Sequence, residues 1–171
     1  MEPITMVVIG LALMVCAYMA WNIGANDVAN AMGTSVGSRA LTLKQAVIIA
    51  AIFEFAGAFF AGDAVTETVR KGILEIPFGE DGTVPAGISQ DIAFGFIAAM
   101  MAAAVWLTIA TRFGLPVSTT HSIIGGIVGV GLVLEVDHGA EYINWEKLGE
   151  VVLSWIASPL MGAILAFFSY W

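Results

Sequence analysis

Long apolar runs constrain this chain more than any other feature. A bilayer core of about 30 Å demands roughly 20 helical residues. Within it, backbone polar groups have to be satisfied inside each segment, which leaves helices or a closed barrel. Runs of this kind cover Ile4 to Trp21, Leu43 to Gly62, Asp91 to Thr111 and Val151 to Trp171, with a further glycine-spaced apolar stretch at 119–134. Charged residues make up 12% of the chain and hydrophobic ones 59%, with a mean hydropathy of +0.91, whereas a soluble domain carries roughly 25% charged residues. The expected fold is an all-α integral membrane protein, one membrane domain over 1–171, with about five transmembrane helices plus re-entrant or broken helices.

Charge removes other classes. The net charge is −8 with only 6 Lys and Arg, and no basic cluster exists for nucleic acid to use. The lone Cys16 lies inside the first apolar run and cannot form an internal disulfide. Met1-Glu2-Pro3 opens the chain without the basic region of a secretory signal, so the first run is expected to be a retained helix. Arg39, Lys44 and Arg112 fall on one side of the membrane and Arg70, Lys71 and Lys147 on the other, a tie that leaves orientation open. A polar connector is expected over 63–90, where Pro77, Gly79, Asp81-Gly82 and Pro85 signal turns, and an acidic loop over Glu135 to Gly149. The final run ends Phe167-Phe168-Ser169-Tyr170-Trp171 without flanking charge, so a continuation in a separate chain or a removed segment is expected.

Two regions break the apolar pattern. Residues 22–39 hold Asn22, Asn26, Asp27, Asn30, Thr34, Ser35 and Ser38 among glycines and small apolar residues. They are too polar for a lipid-facing helix and too apolar for a solvated loop, so a broken or re-entrant segment is expected there. Residues 113–134 open Gly114-Leu115-Pro116-Val117-Ser118-Thr119-Thr120-His121 and continue with Gly125, Gly126, Gly129 and Gly131. A broken helix with a Ser/Thr-rich N-terminus is expected here. Pro116 suits a helix start, and the glycines permit close helix contact.

These regions carry the chemistry. Asn26 and Asn30, four apart, share a helix face beside Asp27. Their amide and carboxylate oxygens suit a hard cation such as Na⁺. Singly, such residues are helix caps; clustered in an apolar chain they mark an ion or substrate path. Glu54 is an acid in the middle of an otherwise apolar run. Ser118, Thr119 and Thr120 crowd a helix N-terminus, whose free N–H groups and dipole attract anions. His121 reads either as a hydrogen-bonded structural residue or as a proton carrier. No Lys or Arg lies away from the segment ends, so a bound anion needs helix dipoles and cations to neutralise it. That combination points to cation-coupled anion uptake. An intramembrane hydrolase using Asp27 and Glu54 lacks any catalytic motif, and a channel has no need of a cation site beside an anion site.

Gly24-Ala25-Asn26-Asp27-Val28-Ala29-Asn30-Ala31 and Gly114-Leu115-Pro116-Val117-Ser118-Thr119-Thr120-His121 resemble the two signatures of the inorganic phosphate transporter family, known as PiT. Glu54 also matches a family position tied to phosphate transport. The resemblance implies a multi-pass protein of the cell membrane, surrounded by lipid, in which two inverted halves each carry these signatures. This chain, with one copy of each, resembles the N-terminal half, and its expected partner is a second half, as another chain or a second copy. The resemblance implies phosphate contacts from Asp27, Ser118, Thr119, Thr120 and Glu54. It implies a Na⁺ site from Asn26, Asp27, Asn30, Ser118 and Thr120. Na⁺ is the expected coupling ion, with no other cofactor. H⁺ coupling, or a permease for sulfate or another oxyanion, is the alternative.

Overall fold

The computed structural model describes residues 3–76, 84 and 86–170, with side chains at 5–62, 72–76, 84 and 87–170. The apolar runs fold as α1 (Pro3–Gly37), α2 (Leu43–Gly72), α3 (Ala86–Arg112), α4 (Thr119–His138) and α5 (Trp145–Tyr170). Each contains a stretch long and apolar enough to cross a membrane, and the chain is a multi-pass membrane protein. Among the described residues the one β contact is an isolated antiparallel bridge between Leu74 and Ile143.

Three expected boundaries are corrected. The separate broken or re-entrant segment at 22–39 does not form; α1 runs unbroken for 35 residues, about 52 Å. Its asparagines leave the helix intact because their amides find partners without unwinding it. Asn22 Nδ2 donates to the Tyr18 carbonyl one turn back at 2.9 Å, and Asn30 Nδ2 donates to Asn26 Oδ1 at 2.8 Å. The connector expected at 63–90 is helical at both ends, because α2 continues to Gly72 and α3 begins at Ala86. Residues 63–71 contain neither Gly nor Pro, so nothing stops the helix where the apolar run does. Of the turn signals named there, Pro77, Gly79, Asp81-Gly82 and Pro85 lie outside the described residues. The acidic loop shrinks to 139–144, because α4 reaches His138 and ends on Gly139. That glycine adopts φ 66° and donates its N–H to the Glu135 carbonyl.

Packing centres on an antiparallel hairpin of α3 and α4. Gly126 sits against Ala99, Gly95 faces Val130, and His138 meets Asp91. Two small residues at the crossing bring the backbones together, the usual device of membrane helices. Helix α1 runs parallel to α3: Met19 packs on Ala103, Ala104 and Leu107, and further along Asn22 and Asn26 meet Thr108 and Thr111. At the open end of the hairpin, Ile73, Leu74 and Ile143 close a second apolar cluster over Ile124 and Ile127. Glu135 fixes that corner by accepting the N–H groups of Tyr142 and Ile143, each at 3.0 Å. Helix α5 has no buried residue and touches the hairpin through Leu148, Val151 and Trp155.

The crossing makes a sharp prediction. A Cβ on Gly126 would lie 2.9 Å from the Ala99 carbonyl oxygen, whereas one on Gly125 or Gly129 meets nothing within 4 Å. Gly126→Ala is expected to cost about 1–3 kcal/mol as overpacking. Gly125→Ala and Gly129→Ala are expected to be neutral or slightly stabilising through helix propensity. Thermal unfolding in detergent checks this, and equal effects at the three positions would show that the hairpin does not cross at Gly126.

Candidate functional site

The tip of the α3–α4 hairpin is written in its sequence. Gly114 takes the left-handed conformation, φ 68°, which only glycine adopts without strain. Its N–H bonds to the Thr111 carbonyl at 3.1 Å, and the Leu115 N–H bonds to the Ala110 carbonyl at 2.9 Å. This pair of bonds closes α3 in the manner of a Schellman cap. Pro116 follows and cannot prolong the helix. Ser118 then starts α4 as its N-cap, with its side chain accepting the His121 N–H at 3.3 Å. The Ser122 N–H reaches the Ser118 carbonyl. Among the described residues, the N–H groups of Thr119 and Thr120 have no acceptor, like the first donors of any helix.

This tip does not reach the end of α1. It docks against its flank beside Asn26, Asp27 and Asn30, leaving α1 to continue to Gly37, about 10 Å further. Two bonds seat it. Asn30 Nδ2 donates to the Val117 carbonyl at 3.1 Å, and the buried Thr119 hydroxyl donates to Asp27 Oδ1 at 2.7 Å. A cavity of about 480 Å³ opens at the junction, lined by Asp27, Asn30, Ala31 and residues 116–120. A second, of about 290 Å³, lies on the other side of Asn30 and is lined by Asn26, Ala29, Thr111 and residues 114–116 among others.

The bonding pattern sorts the lining by sign. Both protons of the Asn30 amide have acceptors, Asn26 Oδ1 and the Val117 carbonyl, so its own Oδ1 is the unpaired atom. Asp27 uses one carboxylate oxygen on Thr119, and among the described residues the other has no partner. One wall of the larger cavity therefore offers acceptors. The opposite wall offers donors: the exposed Thr120 hydroxyl, the Ser118 proton and the two free N–H groups at the positive end of α4. Among the described residues, no Lys or Arg lines either cavity.

The structure thus brings together Asn26, Asp27, Asn30, Ser118, Thr119 and Thr120. It does not bring Glu54 to them: that residue is exposed on α2 and lines neither cavity. His121 turns away, its ring 3.9 Å from that of Trp155. Sequence reasoning missed Tyr18, Thr108 and Thr111. Tyr18, Asn22, Asn26 and Asn30 recur every fourth residue, one stripe on a helix, and that spacing was the available signal. Against it α3 sets Thr108, which bonds Tyr18 and Asn22, and Thr111, which bonds Asn26.

With this geometry in view, comparison with known proteins is decisive. The family model described as "Phosphate transporter family" matches residues 23–171. The chain belongs to this family. Two relatives, each named "Putative phosphate permease", come from Pyrococcus abyssi and Thermococcus kodakarensis. The first is 54% identical over 94% of this chain and 37% of its own length; the second is 58% identical over 87% and 34%. A solved structure titled "The sodium-dependent phosphate transporter" superposes with a TM-score of 0.82 at 41% identity, covering 96% of this chain and 38% of that one. This phosphate transporter family chain therefore spans somewhat more than a third of the relatives it matches.

The Thr119–Asp27 bond is testable on its own. A bond to a charged acceptor contributes about 1.5–3 kcal/mol, and half-exposure of Asp27 places this one near the lower bound. Thr119→Val is expected to destabilise the ligand-free protein by roughly 1–2 kcal/mol, with Thr119→Ser close to neutral. Detergent-phase thermal melts measure both; similar values for Val and Ser would mean that the hydroxyl contributes nothing.

Proposed function

We propose that this chain forms one half of a Na⁺-coupled inorganic phosphate transporter of the cell membrane, with its ion site at the docked hairpin tip. The observation that carries the reading is the Thr119–Asp27 bond, which holds a carboxylate and a helix N-terminus on one cavity. Phosphate lies against the free N–H groups of Thr119 and Thr120 and the hydroxyls of Ser118 and Thr120, as anions do at helix N-termini. Na⁺ lies against the free oxygens of Asp27 and Asn30, and Asn26 acts by orienting Asn30. Hard oxygen ligands of this kind suit a small cation at membrane depth. The sodium dependence of the superposed structure's title supports the choice of Na⁺ over H⁺.

Each ion needs the other. Two phosphate charges facing Asp27 without a cation would be repelled, because no Lys or Arg among the described residues lines the cavity. Na⁺ between them converts repulsion into a bridge, which is coupling in physical terms. The cavity is open on one side, and Glu54 faces outward on α2. A second half, from another chain or a second copy, closes the site and meets Glu54. Transport is then movement of the halves about the bound ions.

Asp27→Asn preserves shape and removes charge. In proteoliposomes carrying the assembly purified from membranes, it is expected to cut Na⁺-driven phosphate uptake at least about tenfold, as loss of a paired charge does. Full uptake with unchanged Na⁺ dependence would reduce Asp27 to a partner for the Thr119 hydroxyl.

A further inference from the structure

We infer that Arg39, Lys44 and Arg112 form an electrostatic vestibule, which gathers inorganic phosphate at the mouth of the site without contacting it once bound. This rests on the functional reading above and concerns residues that line neither cavity.

The three residues share one end of the molecule. Arg39 follows the last turn of α1, Lys44 stands in the first turn of α2, and Arg112 closes α3. The hairpin tip and its cavities lie toward the same end. From Asn30 to Gly37 the helix rises about 10 Å, so Arg39 stands roughly that far beyond the larger cavity. Arg112 adjoins Thr111, which lines the smaller one. All three basic residues are exposed. The stretches 28–53, 92–134 and 151–170, which build this end, contain no Asp or Glu. Among the described residues the ion pairs are His138–Asp91 and Lys147–Glu150, both at the opposite end. The charge at the mouth is therefore unopposed by any neighbouring acid of this end.

Local preference opposes two of these placements. Helices α3 and α4 end on Gly114 and Gly139, at φ 68° and 66°, a conformation that glycine adopts freely. Arg39 makes the corresponding turn after α1 at φ 63°, with its N–H on the Val36 carbonyl at 3.0 Å. An L side chain is strained there. Arg39 gains from the negative end of α1, but any position in the last turn offers that gain without the strain. Lys44 lies at the positive end of α2, where an acid is favoured. What the two share is the charge they bring to this end, and local rules give way most often at functional places.

A positive potential at a mouth raises the local concentration of anions and lowers that of cations, each according to its charge. Removing it therefore weakens apparent phosphate binding and strengthens apparent Na⁺ binding. Damage to the site itself would weaken both.

In phosphatidylcholine proteoliposomes carrying the assembly purified from membranes, uptake is measured at a pH where phosphate is mostly divalent. Ionic strength is set to about 0.1 M, where the screening length is about 10 Å. The triple variant Arg39→Gly, Lys44→Gln, Arg112→Gln is expected to raise phosphate KM at saturating Na⁺ roughly fivefold. It is expected to lower half-saturating Na⁺ at saturating phosphate about twofold, the smaller shift due to a single charge. Maximal uptake stays within about twofold, because only apparent binding changes. Choline chloride at about 0.5 M brings wild type and variant together. Arg39→Gly alone is expected to melt no lower than wild type, since it relieves the strained turn, and to move both constants in the same senses as the triple variant. Weaker apparent binding of both ions, or no change in either, overturns the inference. So does an effect that appears only when anionic lipid is added to the vesicles, because the residues then hold headgroups. A wild type indifferent to Na⁺ overturns the functional reading instead, so the two failures are distinct.

Discussion

An unpaired polar group at membrane depth is costly, and the 113–118 tip is held by the two polar partners it finds on α1: Asn30 donates to the Val117 carbonyl, and Asp27 accepts the Thr119 hydroxyl proton. Much else serves this contact. Gly126 lets α4 lie close on α3, Met19 and Leu107 hold α3 along α1, and Gly114 with Pro116 turns the chain between helices. The seated tip converts two amphipathic sequence motifs, far apart in the chain, into the facing walls of one cavity.

In the proposed function, this site handles a multiply charged anion without basic side chains. Donors come from the backbone and hydroxyls at the start of α4, where the helix dipole already favours negative charge. Acceptors come from α1, and in the proposed reading they hold the anion off until a cation intervenes. Discrimination against an empty or half-loaded site follows from simple Coulomb terms, which grow as water is excluded. The outward faces of α2 and α5 show what remains to be covered. Phe53, Phe55, Phe59 and Phe60 are exposed on α2, and α5 buries no residue, faces that the proposed second half and lipid would cover.

The helical membrane class was legible because runs of about 20 apolar residues admit few other folds. The start of α4 was legible in part, since Pro116 suits a helix start and Ser118 to Thr120 crowd it, but the broken helix expected over 113–134 is a turn at Gly114 followed by α4. Helix ends were not. Polar residues at 22–39 were read as a break, yet amides that bond one turn back or across to α3 leave the ladder whole. Residues 63–72 were read as a connector because they are polar, but polarity marks where the membrane stops and not where the helix does. At the site, Asn26, Asp27, Asn30 and Ser118 to Thr120 stood out by chemical type. Thr108 and Thr111 did not, because a threonine in an apolar run has no signal until its partner on another helix is known. Glu54 stood out equally and lies apart from the cluster in this chain, where residue type alone could not tell which polar groups would meet.

The central claim is that cation and anion share one cavity and neutralise each other there. Calorimetric titration of phosphate into the purified assembly, with Na⁺ absent and with Na⁺ saturating, tests it most directly. Linkage requires that Na⁺ tighten phosphate by the same factor that phosphate tightens Na⁺, and coupling between interacting sites is typically a factor of roughly 5 to 150. The account predicts a factor in that range, equal in both directions and lost in Asp27→Asn. Phosphate affinity that is the same with and without Na⁺ would contradict it.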